Sequence, residues 1–201
     1  MITTGWVIVS AEITTKATID YDSIIKETLA DIGYTENDLG AIEMQKNSEK
    51  KLWVSTLIKE QSPHIAQGVD SDENHEQGAG DQGLMFGYAC DETDALMPAP
   101  IYYSHLILKE LAKIRHNDKN SILLPDSKSQ ITLEYHDGKP VKASSVVVST
   151  QHKKNCSQDD IRGIVRETVN KVLPKGWMCP EDEFYVNPTG IFEIGGPDGD
   201  A

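Results

Sequence analysis

The strongest constraint on this fold is a hairpin signature in the second half of the chain. From Gln130 to Tyr135, the residues Ile131, Leu133 and Tyr135 alternate onto one face, the period of a half-buried strand. His136-Asp137-Gly138-Lys139-Pro140 supplies turn residues, and Ser144 to Thr150, SSVVVST, reads as the returning strand. A helix start follows. Ser157 with Asp160 three residues on resembles a capping box, and Ile161, Ile164, Val165 and Val172 form the buried face. Glu183 to Val186 and Ile191 to Ile194 read as two further strands.

The first half mixes elements too. Trp6 to Thr15, WVIVSAEITT, is nearly continuous and β-branched, so it reads as a buried strand. Asp22 can cap a following helix with Ile25, Leu29 and Ile32 on one face, and Gly33 supplies its stop. Residues Gly33 to Lys51 are polar and irregular, and Leu52 to Ile58 reads as a second strand. Glu60 to Gly83 is polar, has Gly, Pro, Asp and Asn, and is without periodicity, so it reads as one long loop. Pro98 and Pro100 open a helix with a stripe of Ile107, Leu111 and Ile114, and Lys113 and Arg115 lie near its C-terminal end. Strands and helices mix without a regular βαβ repeat, and a hairpin is present. That favours an α+β architecture over a doubly wound parallel sheet.

Composition narrows the function. The 201 residues carry 19 Lys plus Arg against 32 Asp plus Glu, a formal charge of −13. A nucleic-acid-binding surface wants a basic face, so nucleic acid and anionic membrane are disfavoured as partners. An acidic chain can still take polyphosphate through metal ions or a local Lys/Arg cluster. No apolar run nears the roughly 20 residues that span a bilayer, and the start lacks a signal-peptide pattern. Cys90, Cys156 and Cys179 are odd in number and widely spaced, which points to reduced thiols in a cytoplasmic protein. The 6 histidines show no ligand spacing, and no metal site is read from them.

Four places can carry chemistry. Gly78-Ala79-Gly80-Asp81-Gln82-Gly83 satisfies G-x-G-x-x-G, but SDENHEQ precedes it instead of a strand. The dinucleotide reading therefore fails. The glycines instead imply backbone held close to something, with Asp81 presented on a turn. Pro125-Asp126-Ser127-Lys128 sits at the mouth of a strand. Alone it reads as a solvated turn; within a site, Lys128 can reach a phosphate and Asp126 a sugar or base. Gly195 to Asp200 is a Gly/Asp turn whose carboxylates disfavour a phosphate unless a cation intervenes. Glu12 interrupts an apolar strand, so it faces solvent or meets a ligand ammonium group.

At GAGDQGLMFGY, Gly78 to Tyr88, the chain resembles the S-adenosylmethionine synthetase family. Other matching pieces follow in the family's order: AEITT from Ala11, QSPHIAQGVD from Gln61, DETDALMPAPI from Asp91, PDSKSQ from Pro125, VVVSTQH from Val146, NPTG from Asn187 and GGPDGDA from Gly195. The resemblance implies two-layer α+β domains around a pseudo-threefold axis. It implies residues 1–66 as an N-terminal domain and 67–77 as a gate loop or linker. Residues 78–194 would form a central domain, and 195–201 the start of a C-terminal one. It also implies coupling of L-methionine to ATP, with Mg²⁺ and K⁺ as cofactors and a homodimer or dimer of dimers. Glu12 and Gln61 match methionine-holding positions, and Asp81 an active-site aspartate beside the nucleotide. Asp126, Ser127 and Lys128 match an ATP-binding segment. Phe192 matches a residue at the adenine, and Asp200 one between ATP and methionine. Gln61 to about Asp72 matches a mobile gate.

Within the resemblance there are departures. The 201 residues contain no HPDK segment and no GGGAFSGKD-type loop, which in the family supply metal and phosphate contacts. Ile191 and Leu124 stand where the family has arginines, His64 where it has Asp, and Ala11 where it has Gly; residues Ala41 to Lys51 fit poorly. A polypeptide of these residues alone is expected to synthesise negligibly, and to be poorly soluble or to associate. The alternative is an inactive fragment or paralog that keeps only the fold and a subunit-pairing surface.

Overall fold

The computed structural model describes residues 1–3, 5–34 and 52–198. Asp200, the poorly matching 41–51 stretch and most of the polar 33–51 stretch lie outside the described residues.

The first sheet has the order β1-β2-β3, from Ile2–Thr3, Trp6–Glu12 and Trp53–Lys59. β1 pairs antiparallel with β2, and β2 runs parallel to β3 from Trp6↔Trp53 to Glu12↔Lys59. The expected strand to Thr15 therefore stops early. β3 ends at Lys59, so the ladder has no partner beyond it; the last bond runs from the Ile13 N–H to the Lys59 carbonyl. Nor is β2 a buried strand: Val7 is buried, but Trp6 is exposed.

Helix α1 (Tyr21–Ile32) starts two residues earlier than Asp22 would set it. Asp20 is the cap, and its Oδ1 accepts from the Ser23 N–H at 3.1 Å. Asp22 sits in the first turn, where it favours the helix dipole and pairs with Lys26. Gly33 ends the helix at φ +111°, as its position implies. Only Leu29 of the expected stripe is fully buried; Ile32 is exposed.

Helix α2 (Pro63–Val69) overturns the reading of residues 60–83 as one loop. Ser62 caps it by accepting from the His64 N–H at 3.3 Å, and Pro63 takes the first turn, where no N–H is needed. The element is too short for a hydrophobic period to stand out. The expected gate loop at 67–77 thus begins inside a helix and continues into a small turn bridging Asp72 and His75.

The second half holds the main core. Helix α3 (Ala99–Asn117) opens after Pro98 as expected, and Ile107 and Leu111 are buried. β4 (Leu123–His136) and β5 (Lys139–His152) form a long antiparallel hairpin, turned by Asp137 and Gly138 at φ +50° and +75°. Helix α4 (Gln158–Val172) is capped by Ser157, which accepts from the Asp159 and Asp160 N–H groups. β6 (Phe184–Val186) joins β5 in parallel, giving the order β4-β5-β6. Ile107, Ile161, Val165, Val169, Val146, Val148 and Phe184 pack into one cluster between the α3 and α4 helices and this sheet. The mixed sheets with helices make an α+β architecture.

Ile191 to Ile194 is not a strand. Its backbone groups bond to side chains at the end of β5: the Gln151 Nε2 group donates to the Glu193 carbonyl at 3.0 Å, and the Phe192 N–H donates to His152 Nε2 at 3.1 Å. With those partners a strand ladder is not needed.

Hydrogen bonds tie the halves together. The Gly5 N–H donates to the Pro197 carbonyl at 2.6 Å, and Arg115 Nη1 donates to the Ile32 carbonyl at 2.6 Å, satisfying the C-terminal end of α1. Among the described residues no helix is long and apolar enough to cross a membrane.

Candidate functional site

The sequence-predicted residues fall into two groups. The first surrounds a bulge at the start of β4. Leu123 pairs with His152 and Ser127 with Thr150, so β4 spends four steps where β5 spends two. The extra length, Leu124 to Asp126, leaves the ladder, and bulges of this kind re-aim side chains. Pro125 suits the spot because it has no N–H to place. Asp126 turns its carboxylate to the Gly196 N–H, with Oδ2 accepting at 2.9 Å. A Cβ on Gly195 would lie 2.6 Å from that same Oδ2 and 2.7 Å from the Phe192 ring, so only glycine lets Asp126 and Phe192 meet there. Ser127 Oγ shares a 2.8 Å hydrogen bond with Thr150 Oγ1. Lys128, the next residue, is exposed and free to reach solvent.

Residues that sequence reasoning missed complete this group. Gln151, 5% exposed, donates to the Glu193 carbonyl while its Oε1 faces the Asp126 N–H and the Tyr34 hydroxyl, each at 3.4 Å. His152 is 1% exposed and holds Phe192. The polar run Ser149 to His152 directly after Val146 to Val148 was the available signal. Arg115 brings a cation to the same side, and burial pushes its guanidinium below its usual range. A cleft of about 330 Å³ opens beside the bulge between α3 and β4, lined by Leu108, Leu111, Arg115, Leu124, Ser127 and Thr150. It lies where a ring or sugar next to Ser127 can be sheltered.

The second group lies at the opposite end of β2. Glu12 closes that strand, exposed, opposite Lys59, and Gln61 follows two residues after Lys59. Both therefore sit at the C-terminal ends of a parallel strand pair. Asp81 comes alongside through its neighbours. A Cβ on Gly80 would meet Gln61 Nε2 at 3.4 Å, and one on Gly78 would lie 2.0 Å from the Gly68 carbonyl oxygen of α2. The expected close backbone approach is thus real, and α2 is what is approached. The Asp81 Oδ1 accepts from the Gln82 N–H at 2.7 Å, which fixes a turn with the carboxylate exposed. Leu84, Met85, Phe86 and Tyr88 follow, each more than three-quarters exposed.

Among the described residues the two groups do not meet within one chain. Gly196 beside Asp126 adjoins Pro197, which bonds to Gly5 at the start of β2, whereas Glu12 is its last residue. At about 3.3 Å per residue, β2 separates them by roughly 20 Å. Asp200, expected between ATP and methionine, lies outside the described residues. Among the described residues no three His, Cys, Asp or Glu side chains gather as a metal site would require. Cys90, Cys156 and Cys179 are free thiols.

Comparison with known proteins adds to this geometry. The model of the S-adenosylmethionine synthetase central domain matches residues 76–192. The chain is 53% identical to the S-adenosylmethionine synthase of Paramagnetospirillum magneticum and 54% identical to S-adenosylmethionine synthase 2 of Rhodospirillum rubrum, in each case over 100% of this chain and 50% of the relative. It is 51% identical to the enzyme of the same name from Rhodospirillum centenum, over 99% of this chain and 50% of that protein. The chain spans about half the length of the curated relatives it matches.

Proposed function

This chain belongs to the S-adenosylmethionine synthetase family, and on that premise we propose that the protein carrying it is a methionine adenosyltransferase. The methionine sulfur attacks C5′ of the ATP ribose. The C5′–S bond forms as the C5′–O bond breaks, and triphosphate leaves to be hydrolysed to pyrophosphate and phosphate. A thioether sulfur needs no general base, so the protein's task is in-line positioning and neutralising the leaving polyanion.

The residues divide this work. Asp126, Ser127 and Phe192 take the nucleoside, and Lys128 meets phosphate. Glu12 and Gln61 hold methionine, the carboxylate pairing with its ammonium group. Asp81 orients the nucleotide at the reacting end, and Asp200 lies between the substrates. Mg²⁺ and K⁺, when bound, would supply positive charge against the triphosphate. The described residues gather no fitting ligand set, so no step is routed through a metal. Because β2 separates the groups, one reaction centre takes its methionine side and its nucleotide side from two copies in a homodimer or dimer of dimers.

The observation that carries this reading is the match along the whole chain to synthases at about half identity. It is tested by incubating the full-length protein with ATP, methionine, Mg²⁺ and K⁺. S-adenosylmethionine should form with pyrophosphate and phosphate in equal amounts, and Lys128→Ala or Asp81→Asn should lower the rate by at least about a hundredfold. Full-rate synthesis in both variants would sink the assignment of those roles. A second reading, a paralog that keeps only the fold and pairing surface, is favoured by Ile191 and Leu124 standing where the family has arginines. No product from the intact wild-type protein would select it.

A further inference from the structure

After β6 the chain returns past the end of β5 without forming a strand, and three consecutive β5 residues hold it. At Thr150, the N–H donates to the Asn187 Oδ1 at 2.8 Å and the carbonyl accepts from Asn187 Nδ2 at 3.1 Å, so a side-chain amide stands in for a ladder partner. Gln151 donates to the Glu193 carbonyl. His152 grips Phe192 twice. Its N–H donates to the Phe192 carbonyl at 2.9 Å, and its ring Nε2 accepts from the Phe192 N–H at 3.1 Å.

The second contact fixes the tautomer. A ring nitrogen that accepts from a peptide N–H carries no proton, so the proton is on Nδ1. The Lys153 carbonyl is there to accept it, at 2.9 Å. The Gln158 Nε2 group at the start of α4 lies 3.3 Å from the same Nε2, a second donor to the bare nitrogen. A nearly fully buried imidazole thus holds the Phe192 backbone, itself oriented by the Lys153 carbonyl and Gln158. Phe192 shares a wall with Asp126 across Gly195, so its displacement would disturb the nucleotide group and leave the methionine group alone.

We infer that His152, as its neutral Nδ1–H tautomer, is the positioning residue that seats Phe192 for the adenine. The inference rests on the adenosyltransferase reading of Phe192. It is tested in the full-length protein with His152→Leu, His152→Gln and Phe192→Ala. The Gln side chain places an acceptor oxygen about where Nε2 lies; Leu leaves the part-buried Phe192 N–H unpaired.

His152→Leu should raise KM for ATP about tenfold, with KM for methionine and kcat within about twofold of wild type. His152→Gln should restore most of the loss, and adding His152→Leu to Phe192→Ala should change KM for ATP little further. Amide exchange without substrates should show Phe192 protected in wild type and His152→Gln and exposed in His152→Leu. Equal losses for both substrates, no rescue by Gln, or effects that add to those of Phe192→Ala would overturn the role of His152 while leaving the enzyme reading intact. An inactive wild-type protein with Phe192 still protected would overturn the reading beneath it, and with it the catalytic meaning of the contact.

Discussion

Gly78 has no room for a side chain. Its Cβ position is 2.0 Å from the Gly68 carbonyl oxygen, backbone on both sides, so neither can swing away. Gly78→Ala should push the 78–83 segment off α2 and carry Asp81 away from Gln61. The rise in KM for methionine should exceed about tenfold, with the thermal midpoint of the main core little changed. Steady-state kinetics with methionine varied check this, and an unchanged KM would contradict it. A close approach at these glycines was legible from G-x-G-x-x-G without a preceding strand. What it approached was not, because α2 is a single short helix within a polar stretch. In the same way Asp126 and Lys128 were legible as a candidate acid and amine, but the bulge that takes Asp126 out of the ladder while Lys128 stays paired with Ser149 was not. A two-residue excess appears only when the register of both strands is known.

Among the elements, stability is concentrated in the packing of α3 and α4 on β4-β5-β6. Ile107 and Ile161 are both 0% exposed there, whereas Ile32 at the end of α1 is 42% exposed. Ile107→Ala should cost about 2–5 kcal/mol by denaturant unfolding, and Ile32→Ala no more than about 0.5 kcal/mol. Comparable costs would contradict this distribution. Ser157→Ala should cost about 1 kcal/mol through the lost cap of α4.

Between these helices, Glu110 of α3 meets Lys113 and Lys171, and their hydrogen bonds lower its carboxyl from 4.5 to about 2. A depressed folded value contributes stability that is present above the ordinary value of 4.5 and is lost as pH falls through about 2. The urea midpoint of wild type should therefore fall more steeply between these limits than that of Glu110→Gln. Parallel curves would show that the clip contributes nothing. The hairpin, its turn and the cap of α4 could be read from local pattern because local chemistry decides them. The 191–194 segment was misread because its apolar residues suit a strand, while its hydrogen bonds are taken by the Gln151 side chain and by the ring and backbone N–H of His152, about forty residues earlier.

For the whole molecule, the −13 charge changes meaning. It argues against nucleic acid, but the polyphosphate substrate proposed above needs only local cations, and Lys128 and Arg115 lie near the bulge. The wider arrangement, two half-sites at opposite ends of β2, was not legible in the sequence, since spacing along a chain does not report which strand ends face which copy. It leads to a measurement on mixed subunits. On the proposed roles, full-length Gln61→Ala protein lacks the methionine side, and full-length Lys128→Ala protein lacks the phosphate contact. If each reaction centre draws one group from each copy, every mixed dimer has one centre with both groups intact. Co-refolding equal amounts should then restore S-adenosylmethionine synthesis to about a quarter of the wild-type rate, from half the dimers being mixed with one working centre each. A mixture no more active than the mean of the two variants alone would contradict the division of the site between two chains.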